Sequence, residues 1–300
     1  MDKRTVALIA AFGASLIYAI NHTIAKGVMP TYIKPFGFIF LRVIGAASLF
    51  WIASLLAPKQ KIEKSDWPRI IACALFGMVI NMLMFFKGLE LSTPINSSVM
   101  ITISPILVFI LSAIFIKEKI TALRTIGILL GFSGALGLIL FGAENRQDAP
   151  NIPLGNLLFI INAASYAVYL IIVKPLTAKY HAITLMKWFF FFGVIINFPI
   201  TIWEFKEVQW SSLPMDVVYK MAFVVIGTTF LTYLLNVFAL KTLKASTIGA
   251  FIYLQPFLAI VFAITMGADS LNLVKVISSI LVFIGVYLVT KRPKNTTEDL

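Results

Sequence analysis

The chain contains ten apolar runs, each long enough to cross a bilayer as an α-helix, which needs roughly 20 residues to span about 30 Å of hydrocarbon. The runs lie at 5–26, 36–57, 69–89, 95–116, 121–141, 154–174, 183–203, 217–240, 246–267 and 271–290. The connections are short, and 60% of the 300 residues are hydrophobic while only 13% are charged, which excludes a separate soluble domain. We therefore predict an all-α integral membrane protein with ten transmembrane helices.

The start of the chain also allows a second interpretation, a secretory signal peptide, because Lys3 and Arg4 precede the first apolar run. No small-residue cleavage site follows that run, so we interpret it as an uncleaved first span. Cys73 is the single cysteine, which excludes an intramolecular disulfide and a CxxC site. The sequence predicts neither a cofactor nor a metal site.

Positive charge is spread unevenly over the connections, although the net charge of +12 could by itself suggest a nucleic-acid partner. With the N-terminus inside, the inner segments hold more than twice as many Lys and Arg residues as the outer ones. This is the distribution of the positive-inside rule. We therefore expect a multi-pass protein of a bacterial-type inner (plasma) membrane with both termini cytoplasmic. Its partners are lipid and a small-molecule substrate, and nothing resembles a nucleic-acid-binding module.

The two halves of the chain resemble each other. A shift of 151 residues pairs Pro105 with Pro256, Glu118 with Asp269, Arg124 with Lys275 and Gly134 with Gly285. A shift of 148 residues pairs Tyr18 with Tyr166, Ala19 with Ala167, Lys26 with Lys174, Tyr32 with Tyr180 and Gly45 with Gly193. We predict two five-helix repeats, 1–141 and 154–300, joined by a polar linker, 142–153. Because five is odd, the repeats are inverted in the membrane, a recurring plan of secondary transporters.

Several motifs resemble those of a known family. They are YAINH at 18–22 with its Asn21, LRV at 41–43, the P-x(12)-E spacing of Pro105 and Glu118, and GILLGFSGALG at 127–137. Together they resemble the ten-span EamA-type branch of the drug/metabolite transporter superfamily. Tyr18, Ala19 and Asp269 depart from its usual tryptophan, glycine and second glutamate. The resemblance implies a membrane transporter, with members associated with export of amino acids, other metabolites and drugs.

Polar residues recur within the spans at helical spacing, and they should face other helices or a cavity. Span six carries a stripe of polar residues at helical spacing, and span eight repeats that spacing. The two repeat shifts place the corresponding positions in spans one and three. The candidates for lining a central cavity are Tyr18, Asn21, Asn81, Thr102, Asn162, Ser165, Tyr166, Tyr169, Thr229, Thr232, Tyr233, Asn236, Tyr253 and Gln255. The alternative is that each merely bonds across helices or to its own backbone.

Two charged or titratable residues and two prolines complete the candidate site. Arg42 is a cation within a span, suited to a carboxylate or phosphate, with a structural arginine as the alternative. His22 lies one turn beyond Tyr18 and is a possible charge contact or a structural hydrogen-bonding group. Pro105 and Pro256 are candidate hinges, because each removes a backbone hydrogen bond. The glycines at 127–137 are better explained by close helix packing than by a nucleotide loop.

The function predicted from these residues is secondary transport of small polar or amphipathic metabolites such as amino acids, in the direction of export, by alternating access around a central cavity. A membrane-embedded enzyme is one alternative, but no convergent catalytic set is present, so we expect no enzyme activity. A non-transporting membrane scaffold is another alternative.

Overall fold

The structure is a computed structural model that describes residues 2–116, 121–141, 147–240, 242 and 245–290. Within the helices, only the backbone is described at 112–113, 115–116, 233, 237, 240, 245–253 and 289–290. The Lys117-Glu118-Lys119 sequence and most of the linker lie outside the described residues. Throughout the described chain the regular structure is helical, as the apolar runs predict.

Besides two short 3₁₀ helices, Lys64–Asp66 and Trp210–Ser212, the described residues form ten longer helical segments, named α1 to α10 in chain order. Their bounds are α1 Lys3–Val28, α2 Pro35–Ala53, α3 Trp67–Ala74 continuing through Leu75–Ile80 and Asn81–Leu91, α4 Pro94–Ile101 and Ser104–Ile116, α5 Ala122–Phe141, α6 Ile152–Lys179, α7 Ala182–Lys206, α8 Met215–Ala222 continuing through Phe223–Leu231 and Thr232–Leu240, α9 Ala245–Thr265 and α10 Leu273–Thr290. Most boundaries agree with the apolar runs to within a few residues.

Eight helices, from α1 to α8, contain stretches that are long and apolar enough to cross a membrane. In α9 and α10 the apolar stretches are shorter, Leu254–Thr265 and Leu273–Leu288. The all-helical membrane fold is therefore confirmed, whereas ten complete crossings stay a prediction.

The helices pack in pairs that cross the predicted boundary between the repeats. The main pairs are α5 with α10, α2 with α7, α3 with α6, α1 with α8, and α1 with α9. A two-fold axis between the repeats would exchange each helix from α1 to α5 with its counterpart from α6 to α10. It would convert the packing of α3 on α6 into that of α8 on α1, and it would leave the packing of α5 on α10 unchanged. The packing supports the inverted repeat, which stays a prediction.

Glycines bring α5 and α10 into close contact. A Cβ atom on Gly134 would lie 2.6 Å from the Ser278 carbonyl oxygen, and one on Gly285 would lie 2.5 Å from the Gly127 carbonyl oxygen. The paired glycines Gly134 and Gly285 thus serve one interface. Side chains here would separate the two backbones, so this glycine run packs helices.

The helix α4 is interrupted directly before Pro105, at Thr102 and Ile103. Proline has no N–H, so the carbonyl of Ile101 loses its usual helical donor. The Ser104 hydroxyl donates to that carbonyl at 2.6 Å instead. Pro256 lies inside the continuous helix α9. The two prolines therefore occupy different local structures, and bending at either one stays a prediction.

Candidate substrate-binding site

Two asparagines join α3 to α6. The Asn162 side-chain amide donates to the Asn81 carbonyl at 2.7 Å, and the Asn81 amide donates to the Asn162 carbonyl at 3.3 Å. One turn along α6, the Ser165 hydroxyl donates to the Phe76 carbonyl at 2.6 Å. In this conformation, these three candidates from the sequence bridge helices of opposite halves.

A second polar contact joins α1 to α8. The Thr228 hydroxyl donates to the Asn21 side-chain oxygen at 3.1 Å, and both residues are buried. The Thr232 hydroxyl donates back to the Thr228 carbonyl at 2.6 Å, the local bonding that serine and threonine often make in helices. Thr228 was not among the candidates from the sequence, although it lies one turn before Thr232 on the same face.

Arg42 reaches the same region from α2. Its Nε donates to the Thr229 hydroxyl at 2.7 Å, and its guanidinium lies 5.5 Å from the centroid of the Phe86 ring. Arg42 is half-buried, whereas Thr229 is fully buried. The cation is therefore directed between helices rather than along the lipid-facing surface.

Short π-helical segments set the direction of these side chains. They are Leu75–Ile80 in α3 and Phe223–Leu231 in α8, and the 151-residue shift places the first within the second. The Thr229 hydroxyl donates to the Val224 carbonyl five residues earlier, at 3.2 Å. A π-segment inserts a residue into the helical turn and often marks a functional site. It explains why Thr228 and Thr229 both make contacts between helices, which a regular 3.6-residue period does not predict.

Two tyrosines of α6 lie near the middle of that helix. The rings of Tyr166 and Tyr169 are 5.8 Å apart. Tyr169 is buried against Gly77 of α3, whereas Tyr166 is 39% exposed. Tyr18, which the repeat pairs with Tyr166, is half-buried at the equivalent position of α1.

Equivalent positions meet in the two halves. Asn21 contacts Thr228, and the positions that the two repeat shifts pair with them are occupied by Tyr169 and Gly77, where an added Cβ would lie 2.6 Å from the tyrosine ring. The paired glycines Gly45 and Gly193 each pack against a π-segment of the other half, although their partners are not themselves paired. These partners are Val225 in α8 and Met78 in α3, respectively.

His22 lies in a separate contact between α1 and α4. Its Nδ1 is 2.7 Å from the Ser97 hydroxyl, and its ring packs edge-on against Phe85 at 5.6 Å. His22 is buried, so the structural hydrogen bond considered from the sequence is present. Ser97 was not recognised as its partner because the two residues are distant in sequence.

The remaining candidates are less closely joined. Thr102 donates to its own helix at the Val99 carbonyl, and Asn236 and Gln255 are half-buried on α8 and α9. The side chains of Tyr233 and Tyr253 lie outside the described ones. No group of three or more His, Cys, Asp or Glu that could hold a metal ion occurs among the described residues.

The geometry is that of a helical membrane protein whose polar side chains meet between its two halves. One family model, the EamA-like transporter family, matches residues 5–140 and again residues 153–291. The chain belongs to the EamA-like transporter family. The two matched stretches fall within the two predicted repeats of this EamA-like chain, except that the second begins at residue 153, the last residue of the predicted linker.

Two of the following three relatives of this EamA-like protein carry transporter names. An uncharacterized transporter from Archaeoglobus fulgidus is 26% identical over 289 residues, covering 96% of this chain and 98% of the relative. The uncharacterized transporter YyaM of Bacillus subtilis is 25% identical and covers 72% of each chain. The WAT1-related protein At3g53210 of Arabidopsis thaliana is 22% identical and covers 91% of this chain and 79% of its own.

A solved crystal structure shares the fold of this EamA-like chain. It has a TM-score of 0.60 and 18% sequence identity, and the match covers 96% of this chain and 98% of the other. Together with the family match, this establishes a multi-pass membrane transporter of the drug/metabolite transporter superfamily.

Proposed function

We propose that this protein is a secondary transporter that exports small polar or amphipathic metabolites, amino acids among them, by alternating access around a cavity between its two halves. The observation that carries the proposal is the tyrosine cluster of Tyr166 and Tyr169 in a transporter-family chain. It lies on α6 where Tyr169 packs against Gly77 of the other half, and Tyr166 is 39% exposed. Phenol groups supply apolar faces together with hydroxyl groups, which suits amphipathic ligands.

The polar contacts around this cluster support two roles. Some candidate side chains are exposed or half-buried, so we assign them direct contact with substrate. These are Tyr18, Tyr166, Asn236 and Gln255. Other candidates form hydrogen bonds between the two halves, from Asn162 to Asn81 and from Thr228 to Asn21. We assign these bonds to interfaces that rearrange as the halves rock.

Ligand binding at the tyrosine cluster can be tested by counterflow. Purified protein is first screened for ligands that raise its melting temperature, using amino acids, nucleosides, sugars and their phosphates, and the hits are then measured in proteoliposomes. Tyr166→Ala should lower the counterflow rate about tenfold or more, since the substrate loses an aromatic face and a hydroxyl. Tyr219→Phe is the control, because Tyr219 is 68% exposed at the start of α8.

Counterflow also separates the competing functions. A transporter shows saturable exchange across the bilayer, whereas a membrane-embedded enzyme converts a ligand in detergent and a scaffold does neither. Unchanged counterflow in Tyr166→Ala, Asn162→Ala and Thr232→Ala, each at normal expression, would contradict the proposed cavity.

The paired prolines provide a second test of the transport cycle. Pro105→Ala should restore the helical bond to the Ile101 carbonyl, stiffen α4 and slow counterflow severalfold without weakening ligand-induced stabilisation. Pro199→Ala is the matched control, because Pro199 lies inside α7 at an exposed position. If Pro105→Ala and Pro256→Ala both transport as fast as the parent, the prolines are not hinges.

A further inference from the structure

A fully buried ion pair lies where α9 is connected to α10. The Lys275 Nζ is 2.8 Å from the Asp269 Oδ1, and both side chains are 0% exposed. Lys275 also donates to the Ser270 carbonyl at 2.9 Å. Removing two charges from water is costly, and a lysine in the first turn of a helix opposes the helix dipole. Stability is therefore a weak explanation for this pair.

The second oxygen of Asp269 reaches the other half of the chain. Its Oδ2 accepts a hydrogen bond from the Ile95 N–H at 3.1 Å, in the first turn of α4. N–H groups in a first helical turn have no partner within their own helix, so a carboxylate here is well placed. The ion pair thus connects the start of α10 to the start of α4.

The end of α9 is shaped to place Asp269 there. Gly267 has a φ of +62°, and the N–H groups of Gly267 and Ala268 donate back to the carbonyls of Ile264 and Ala263 at 3.0 and 2.9 Å. This is a Schellman motif, which reverses the chain directly after a helix. Lys275 is fixed in turn because its N–H donates to the Asn272 side chain at 2.8 Å.

The surrounding helix ends are closed around this pair. Ser92, Thr93 and Asn96 are fully buried at the end of α3 and the start of α4. The Ser92 hydroxyl donates to the Asn156 side-chain oxygen at 2.7 Å, and the Asn156 amide donates to the Leu138 carbonyl at 2.9 Å. This end of the bundle, the outer end in the predicted orientation, is therefore sealed by buried hydrogen bonds.

The repeat places the same charges at the opposite end of the molecule. Asp269 and Lys275 are paired by the 151-residue shift with Glu118 and Arg124, and Ile95 is paired with Ser246 in the first turn of α9. Arg124 lies near the start of α5 with its guanidinium 4.4 Å from the centroid of the Phe109 ring. Glu118 lies outside the described residues.

We propose that Asp269 and Lys275 form an outer latch that holds the start of α4 and closes the outer end of the transport pathway. This inference rests on the proposed alternating access. In the conformation described, the outer latch is engaged. It joins the ion pair of one half to the helix start of the other half, so it must be released when the halves rock apart at this end.

A reporter cysteine below the outer latch tests the proposal without a substrate. Ser98 is buried one turn beyond Ile95, and Ser98→Cys combined with Cys73→Ala leaves it as the single thiol. Its rate of modification by a membrane-impermeant maleimide is measured in cells and in inside-out vesicles. Asp269→Asn should raise that rate from the outer side at least roughly tenfold, because the outer-open state becomes more populated.

Two further variants make the result specific. Glu207→Gln breaks the exposed Lys34–Glu207 pair, whose side chains are 54% and 57% exposed, and should leave the rate within about twofold of the parent. If Asp269→Asn fails to fold, Asp269→Asn with Lys275→Met removes both charges and should give the same increase.

The outcomes separate this inference from the proposed function. Reagent access that is unaltered by the Asp269 variants overturns the latch. Absence of counterflow for every ligand, with reagent access changing as expected, overturns the assignment of transport substrates and leaves the latch supported.

Discussion

Gly285→Leu should prevent recovery of folded protein, because the α5–α10 interface has no space for a side chain at this position. Even a Cβ atom on Gly285 would lie 2.5 Å from both the Gly127 carbonyl oxygen and the Gly131 amide nitrogen. These are backbone atoms, so they cannot move aside by changing a rotamer. The two helices must separate, and the close packing that holds them is lost.

The milder Gly285→Ala variant gives a measurable intermediate. Overpacking of this kind costs about 1–3 kcal/mol, which corresponds to a fall of several degrees in the melting temperature of the detergent-purified protein. Gly27→Ala is the matched control, because a Cβ there meets no atom within 4 Å. Equal melting temperatures for Gly285→Ala and Gly27→Ala would contradict the described interface.

The sequence was sufficient for the helices and for close packing at the glycine run. Apolar runs predicted the helices because the bilayer fixes their length, and the run around Gly134 predicted close packing because small residues let backbones approach. The repeat paired Gly134 with Gly285, but that the two glycines serve one interface is seen only in the structure. These features depend on local composition and on comparison of the chain with itself.

The polar contacts were only partly predictable. Helical spacing selected Asn81 and Asn162, but their mutual hydrogen bonds depend on how α3 packs on α6, which periodicity does not contain. The π-segment in α8 adds Thr228 to the contact surface, and this shift of register has no signal in the spacing of polar residues. Asp269 was recognised only as a repeat counterpart, since its burial with Lys275 depends on the turn at Gly267.

The polar residues of the spans have two interpretations, as the lining of a cavity and as structural hydrogen-bonding groups, and the structure bears on the choice. Asn162, Ser165 and Thr232 make the bonds across helices, or to their own backbone, that the structural alternative describes. In a carrier whose halves rock, contacts between halves are broken and remade, so helix bridging in one state is compatible with a role in the cycle. We therefore propose substrate contact for Tyr18 and Tyr166 instead.

Arg42→Ala should reduce counterflow of ligands that carry a carboxylate or phosphate by at least roughly a hundredfold, while the purified protein keeps its folded state. We propose that the Arg42 guanidinium holds the anionic group of the substrate beside Thr229, within the space between the halves. A charge-assisted hydrogen bond in such a low-dielectric site contributes about 1.5–3 kcal/mol. Loss of the accompanying Coulomb attraction adds to this effect.

Two matched variants separate ligand binding from a structural role for Arg42. Thr229→Val removes the hydroxyl that accepts the Arg42 Nε bond but leaves the cation in place, so anionic ligands should still be exchanged, with a modest rise in KM. Arg42→Lys keeps the charge without the planar fork and should retain a fraction of counterflow. If Arg42 is only a helix bridge, Arg42→Ala and Thr229→Val lower the melting temperature alike. Neutral and anionic ligands are then affected equally, and the proposed anion contact is wrong.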